Sequence, residues 1–126
     1  MKKRVMVVDD SPLSRRMIAR AINRVGDFDL VEIGSGSEAV KRYKEQPFDI
    51  VFLDLTMPEL SGYDVIKLLK EYDPDICIVV VSADRQRRTA ERLNSLGIAT
   101  VLPKPPDQTV IRRALESIRG DSAGPD

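Results

Sequence analysis

The chain has 126 residues, a length that suits one domain large enough to bury a hydrophobic core. Its 20 basic residues balance its 20 acidic residues, so the overall charge does not favour a nucleic acid or a membrane surface as partner. It contains no histidine, which excludes a histidine-based catalytic triad, a histidine metal site and a phosphohistidine carrier. Its single cysteine, Cys77, excludes an intramolecular disulfide and lies in an apolar run, so we expect a buried thiol.

The first part of the chain predicts two pairs of strand and helix. Residues 5–8 are a short apolar run, which predicts a strand, and two aspartates follow it directly. Ser11 and Pro12 then open a helix, since proline is tolerated in the first helical turn. Residues 30–33 predict a weaker second strand. Ser35, with a glutamate three residues later, resembles a capping box and predicts the start of the next helix.

The third strand is followed by the most informative residue of the chain. Residues 50–53 form a continuous apolar run, which is typical of a strand buried on both faces of a parallel sheet. The run ends at Asp54, and a carboxylate in that position is costly to keep ionised unless a cation, a donor or a reagent meets it. A turn containing proline follows, and Ser61 leads into a third helix.

Two more strands are predicted in the second half. Residues 76–81 predict a fourth strand that stops at Ser82, and residues 84–96 predict a polar helix. Residues 100–102 predict a fifth strand, which stops shortly before Lys104. The chain therefore alternates strands and helices throughout, and this alternation favours an α/β fold with a parallel sheet covered by helices on both faces.

The last helix sets the expected boundary of the domain. Asp107 is expected to cap its first turn, and Gly120 is expected to end it. The sequence therefore predicts one domain over residues 1–120 and a short flexible tail over residues 121–126.

Polar groups follow four of the predicted strands. The carboxyl ends of parallel strands form the ligand crevice of an open α/β sheet, so these groups are expected to converge. Carboxylates held close together repel one another, and magnesium, which prefers oxygen ligands, would relieve this repulsion and bind phosphate oxygens. With a lysine and a hydroxyl nearby, the site suits phosphoryl transfer onto an aspartate. The residues are Asp9, Asp10, Asp54, Ser82 and Lys104.

Four motifs in this order resemble the receiver domain of two-component response regulators. They are Asp9-Asp10, the stretch 54–62, Ser82-Ala83 and Lys104-Pro105. The resemblance covers residues 3–119, nearly the whole chain. It implies a flavodoxin-like, doubly wound (βα)5 fold whose five-stranded parallel sheet has the order 2-1-3-4-5.

The resemblance also implies a role for each site residue. Asp54 is expected to accept the phosphoryl group, Lys104 to pair with that group, and Ser82 to move and hydrogen-bond it. Gly62 is expected to adopt a backbone conformation that a side chain would oppose. A bound Mg²⁺, or Mn²⁺ in its place, is expected to have as ligands Asp9, Asp10, Asp54 and the backbone carbonyl of Thr56.

One position departs from the family's usual pattern. Three residues before the lysine, receivers usually carry a tyrosine or phenylalanine that turns inward on activation, and here the residue is Val101. The basic residues of the predicted fourth helix most often indicate only a solvated face. The alternative is a surface for an acidic partner, formed by Arg85, Arg88, Arg92 and Val101.

The resemblance implies a signalling role rather than an enzymatic one. The phosphoryl group would come from a sensor histidine kinase or a phosphotransfer protein, and the phosphorylated chain would bind an unknown output protein. Because only residues 121–126 follow the last helix, we expect a stand-alone regulator like those of chemotaxis. The sequence also predicts a cytoplasmic monomer that contacts neither a membrane nor nucleic acid, and leaves open whether phosphorylation drives dimerisation.

Three other interpretations remain at this stage. The chain could be a fragment of a longer regulator. It could be a phosphatase of the haloacid dehalogenase type, although that class places a second aspartate two residues after the nucleophile and Thr56 stands there. It could also bind a flavin, as flavodoxins do.

Overall fold

Five parallel strands form a single sheet with the order β2-β1-β3-β4-β5, as the sequence predicts. The computed structural model describes the backbone of residues 2–123 and the side chains of residues 2–118. Within that part of the chain, strands and helices alternate without exception. The elements are β1 (Arg4–Val8), α1 (Pro12–Val25), β2 (Asp29–Ile33), α2 (Gly36–Glu45), β3 (Ile50–Asp54), α3 (Gly62–Tyr72), β4 (Ile78–Ser82), α4 (Arg87–Ser95), β5 (Thr100–Pro103) and α5 (Gln108–Ala123).

The core has two layers, one on each face of the sheet. Successive side chains of a strand point to opposite faces, so Val51 and Leu53 of β3 join one layer while Ile50 and Phe52 join the other. Helices α2, α3 and α4 cover the first face, and α1 and α5 cover the second. All five residues of β3 are buried, because this strand lies at the centre of the sheet.

Side-chain caps start the helices where the sequence predicts them. Ser11, Ser35 and Ser61 each accept a hydrogen bond from the backbone N–H three residues later. Asp107 does the same for Val110 at the start of α5, over 3.0 Å. Within the described residues, no helix is long and apolar enough to cross a membrane.

The sequence predicts that the fourth helix begins at residue 84, but helix α4 begins at Arg87. Asp84 forms a turn instead, because one of its carboxylate oxygens accepts from the Gln86 N–H over 2.9 Å. The other oxygen accepts from the Thr89 hydroxyl over 2.6 Å. A side chain that bonds the backbone two residues later offers it an alternative to a helical turn.

The last helix extends beyond its predicted end. Helix α5 runs to Ala123, so Gly120 does not end it and residues 121–123 of the predicted tail are helical. One glycine inside a helix costs only about 1 kcal/mol relative to alanine, too little to stop a helix by itself. The rest of the predicted tail, residues 124–126, lies outside the described part of the chain.

Cys77, which precedes β4, is half-buried against the core rather than fully buried.

Gly62 is required for a different reason from the one the sequence suggests. Among the described residues only Gly97 has a positive φ, so the backbone conformation of Gly62 is open to any residue. The restriction is space: a Cβ on Gly62 would lie 2.6 Å from the Leu55 Cα and 2.7 Å from the Asp54 carbonyl oxygen. Gly62 therefore lets α3 begin directly against the end of β3, and this contact fixes the loop after Asp54.

Candidate functional site

The strand ends bring the predicted polar groups to one edge of the sheet. Val8 pairs with Leu53, so the chain leaves β1 at Asp9 next to Asp54, the last residue of β3. Asp54 in turn pairs with Val81, and Ser82 ends β4. One oxygen from each of Asp9, Asp10 and Asp54 lies within 4.8 Å of the others.

Lys104 lies over the two buried carboxylates. Its Nζ is 2.9 Å from Oδ2 of Asp9 and 3.4 Å from Oδ1 of Asp54. The Asp9 side chain is fully buried, and its Oδ1 accepts a hydrogen bond from the Ser11 N–H over 2.9 Å. Lys104 therefore supplies the positive charge that a buried carboxylate pair needs.

Burial and charge act in opposite directions on these groups. Burial raises the pKa of Asp54, and the positive charge of Lys104 opposes this while the negative charge of Asp9 adds to it. Burial would lower the pKa of Lys104, but its contacts with Asp9 and Asp54 outweigh this and raise that pKa. Lys104 therefore stays protonated, and the cluster favours a second cation.

The donor set fits a hard divalent cation. Carboxylate oxygens are the ligands that Mg²⁺ prefers, and it commonly keeps several waters beside one or two carboxylates. Asp9 and Asp54 are buried, but Asp10 is exposed, so one side of the cluster is open to solvent. The backbone of Thr56 lies close enough to the Asp54 carboxylate to oppose the rise of its pKa, while the metal contact predicted for the Thr56 carbonyl stays a prediction.

A cavity of about 750 Å³ opens beside Asp54 and is large enough for a phosphoryl donor. Arg85, which the sequence suggests for a partner surface, lines this cavity together with Lys104. Its position three residues after Ser82 is the signal in the sequence that could have placed it here. The full lining is Asp54, Thr56, Ser82, Ala83, Asp84, Arg85, Gln86 and Lys104.

Ser82 is tied to the loop that leads into α4. Its buried hydroxyl oxygen accepts a hydrogen bond from the Asp84 N–H over 3.0 Å. The Asp84 carboxylate, whose pKa is lowered by its bonds from the Thr89 hydroxyl and the Gln86 N–H, holds the first turn of α4. A movement of the Ser82 hydroxyl toward Asp54 would therefore release the Asp84 N–H and disturb this turn.

The other residues suggested for a partner surface have different environments. Arg88 is exposed on α4, whereas the Arg92 guanidinium stacks over the Tyr63 ring of α3 at 3.7 Å. Val101 is 40% exposed and lines a cavity of about 300 Å³ with Thr89 and Leu93 of α4. Arg92 thus has an intramolecular role that its spacing in the sequence does not reveal.

Comparisons with known proteins agree with this architecture. The chemotaxis protein CheY of Thermotoga maritima is 36% identical over 118 residues, which are 94% of this chain and 98% of that protein. The protein-glutamate methylesterase/protein-glutamine glutaminase of the group 2 operon of Rhodospirillum centenum is 35% identical over 81% of this chain but only 27% of its own length.

A solved structure and a family model give the same assignment. CheY in the CheX–CheY–BeF3–Mg complex from Borrelia burgdorferi is 27% identical, covers 93% of this chain and 89% of its own, and superimposes with a TM-score of 0.85. The model of the response regulator receiver domain matches residues 5–116. With the sheet order and the acidic cluster already in place, this match shows that the chain belongs to the response regulator receiver domain family.

Proposed function

We propose that this chain is a receiver whose signalling state is set by phosphorylation of Asp54. The phosphoryl group would come from the phosphohistidine of a sensor kinase or a phosphotransfer protein, in a reaction that depends on Mg²⁺ or Mn²⁺. The observation that carries the proposal is the position of Lys104, whose Nζ lies 3.4 Å from Asp54 and 2.9 Å from Asp9. The chain is an acceptor in this reaction and is not proposed to turn over an external substrate.

The chemistry follows from the arrangement around the cavity. An Asp54 carboxylate oxygen attacks the phosphorus of the donor, and the bond from phosphorus to the donor nitrogen or oxygen breaks, with its electron pair leaving on the donor. The Lys104 ammonium balances charge on the transferred phosphoryl oxygens. When bound by Asp9, Asp10 and Asp54, the divalent ion would neutralise charge that develops on those same oxygens.

The output step would use Ser82 and the loop after it. A phosphoryl group on Asp54 offers acceptor oxygens to the Ser82 hydroxyl, which at present accepts from the Asp84 N–H. The conformational change is driven by the difference between these contacts in the two states. The surface that we propose for an output protein includes Arg88 and Val101, both exposed, at α4 and β5.

The direct test is phosphorylation of the wild-type chain by a small-molecule donor. Incubation with acetyl phosphate or phosphoramidate in millimolar Mg²⁺ should give one added phosphoryl group by intact-protein mass spectrometry. The added mass should be lost on treatment with hydroxylamine, which cleaves acyl phosphates, and should not form when the metal is removed with a chelator. An unchanged mass with both donors and Mg²⁺ would disprove the proposal.

The response of β5 is expected to be small because Val101 replaces the usual ring. A valine is short and stiff about its first side-chain torsion, so it cannot move between an exposed and a buried site as a ring can. With beryllofluoride, which mimics a phosphoryl group on an aspartate, we expect large amide shifts at residues 82–87 and small ones at residues 100–102. NMR spectra with and without beryllofluoride test this.

The Val101→Tyr variant is the matched comparison. The cavity of about 300 Å³ beside Val101 can take part of a ring, so the variant should fold and its shifts at residues 100–102 should increase. Shifts in the wild type that are as large at residues 100–102 as at residues 82–87 would contradict the prediction, because the change would then pass through β5 without a ring.

A further inference from the structure

Arg15, near the start of α1, contacts the backbone of the aspartate pair that follows β1. Its Nη1 donates to the carbonyl oxygen of Asp9 over 2.7 Å. Its Nε lies 3.4 Å from Oε1 of Glu32 on β2. Only 20% of the Arg15 side chain is exposed, so both contacts are largely shielded from water. The hydrogen bond to the Asp9 carbonyl is charge-assisted and therefore stronger than a neutral one, while the contact with Glu32 is an ion pair without a hydrogen bond from Nε.

The oxygen that Arg15 holds belongs to the peptide that joins Asp9 to Asp10. On the other side of Asp9, its N–H donates to the carbonyl of Ile33 over 3.1 Å. The Asp10 side chain itself is exposed. Its carboxylate is therefore placed mainly by the backbone, and a rotation of the peptide between Asp9 and Asp10 would carry it away from the other two carboxylates.

Strand β2 holds the arginine in place. Glu32 uses its second carboxylate oxygen for Arg16, whose Nε lies 3.3 Å away and whose side chain is 66% exposed. At Gly34, just beyond β2, a Cβ would lie 3.2 Å from the Arg15 Nη1, so the guanidinium fits closely against the backbone there. Among the described contacts, Arg15 reaches both the Asp9 carbonyl and Glu32, whereas Arg16 reaches Glu32 alone.

We propose that Arg15 is a positioning residue for the metal site. It fixes the peptide between Asp9 and Asp10, and Glu32 fixes Arg15, so that the exposed Asp10 carboxylate is held where the ion binds. The inference rests on the proposed function, because it concerns the same divalent cation. Groups that orient metal ligands without touching the metal typically contribute 10- to 100-fold to affinity.

The sign of the effect separates positioning from simple electrostatics. Removing a positive charge near a cation site should strengthen cation binding if charge alone matters. If Arg15 positions Asp10, the Arg15→Ala variant should instead bind more weakly. We expect its Kd for Mn²⁺, used alone as the probe, to rise about ten-fold in isothermal titration calorimetry.

Arg16→Ala is the matched control, since it removes an equal positive charge that also pairs with Glu32 but leaves the bond from Arg15 to the Asp9 carbonyl in place. Its Kd should equal that of the wild type or be lower. Arg15→Lys keeps the charge and a hydrogen-bonding ammonium group, so its Kd should lie between those of the wild type and Arg15→Ala. If Arg15→Ala does not fold, Arg15→Lys takes its place, and a Kd equal to that of Arg16→Ala would then overturn the inference.

Two results would overturn the inference, and they are distinct. If the wild type binds Mn²⁺ and Arg15→Ala binds it as tightly as Arg16→Ala does, Arg15 has no positioning role and the proposed function stands. If the wild type does not bind Mn²⁺ at millimolar concentration, both the metal site and the inference fail.

Discussion

Asp54→Asn should abolish phosphorylation by acetyl phosphate and by phosphoramidate, with no hydroxylamine-labile mass increase. The amide keeps the shape of the carboxylate but lacks the anionic oxygen that attacks phosphorus. Intact-protein mass spectrometry of variant and wild type under identical conditions gives the measurement. A label retained in the variant would identify another residue as the acceptor.

The same variant should also change how the stability of the chain depends on pH. Burial raises the pKa of Asp54, so the folded chain binds more protons than the unfolded chain between the ordinary pKa and the raised one. The contribution of Asp54 to the stability of the wild type should therefore decrease as the pH rises through that interval and increase as the pH falls. Asp54→Asn has no carboxyl group to titrate at this position. Its free energy of unfolding, measured by urea denaturation at several pH values, should therefore decrease less than that of the wild type as the pH rises through this interval.

Lys104→Met should lower the stability of the metal-free chain by about 3 kcal/mol, because the variant leaves the buried Asp9 and Asp54 without their cation. Added Mg²⁺ should restore much of that loss, since an ion that binds only the folded state stabilises it. Urea denaturation with and without Mg²⁺ measures both effects. Lys41→Met, which removes an exposed charge on α2, is the control and should change stability by less than about 0.5 kcal/mol.

The Lys104 variant should also separate phosphorylation from its structural response. Asp54 remains able to attack the donor, so some phosphorylation should persist. The contact that distinguishes the phosphorylated state is lost, so the amide shifts at residues 82–87 should shrink. In the denaturation experiment, equal unfolding free energies of Lys104→Met and the wild type without metal would show that the ion pairs of Lys104 contribute little to stability.

Much of the fold and most of the site could be predicted because their signals are local. The serine caps of α1, α2 and α3 act within three residues, and the apolar runs before Asp54 and Ser82 show where the strands end. The order of the strands came from the family resemblance. Given that order, the carboxyl ends of adjacent parallel strands must meet at one edge.

The features that could not be predicted depend on distant contacts. The reason for Gly62 is the approach of the start of α3 to Leu55, which no sequence window shows. Arg92 looks like a solvated residue until the packing of α4 on α3 places it over Tyr63. Glu32 meets Arg15 only because β2 pairs with β1 in the register that sets Val7 against Glu32.

The complete burial of β3 has a consequence for the energetics of signalling. Buried central strands open only with the global unfolding of a domain, whereas exposed loops open at little cost in free energy. Asp54 is thus attached to a buried strand that resists opening, whereas residues 83–86, which line the cavity beside it, are exposed and open at a lower cost. A phosphoryl group worth a few kcal/mol of new contacts can therefore remodel one side of the cavity while the acceptor itself stays fixed.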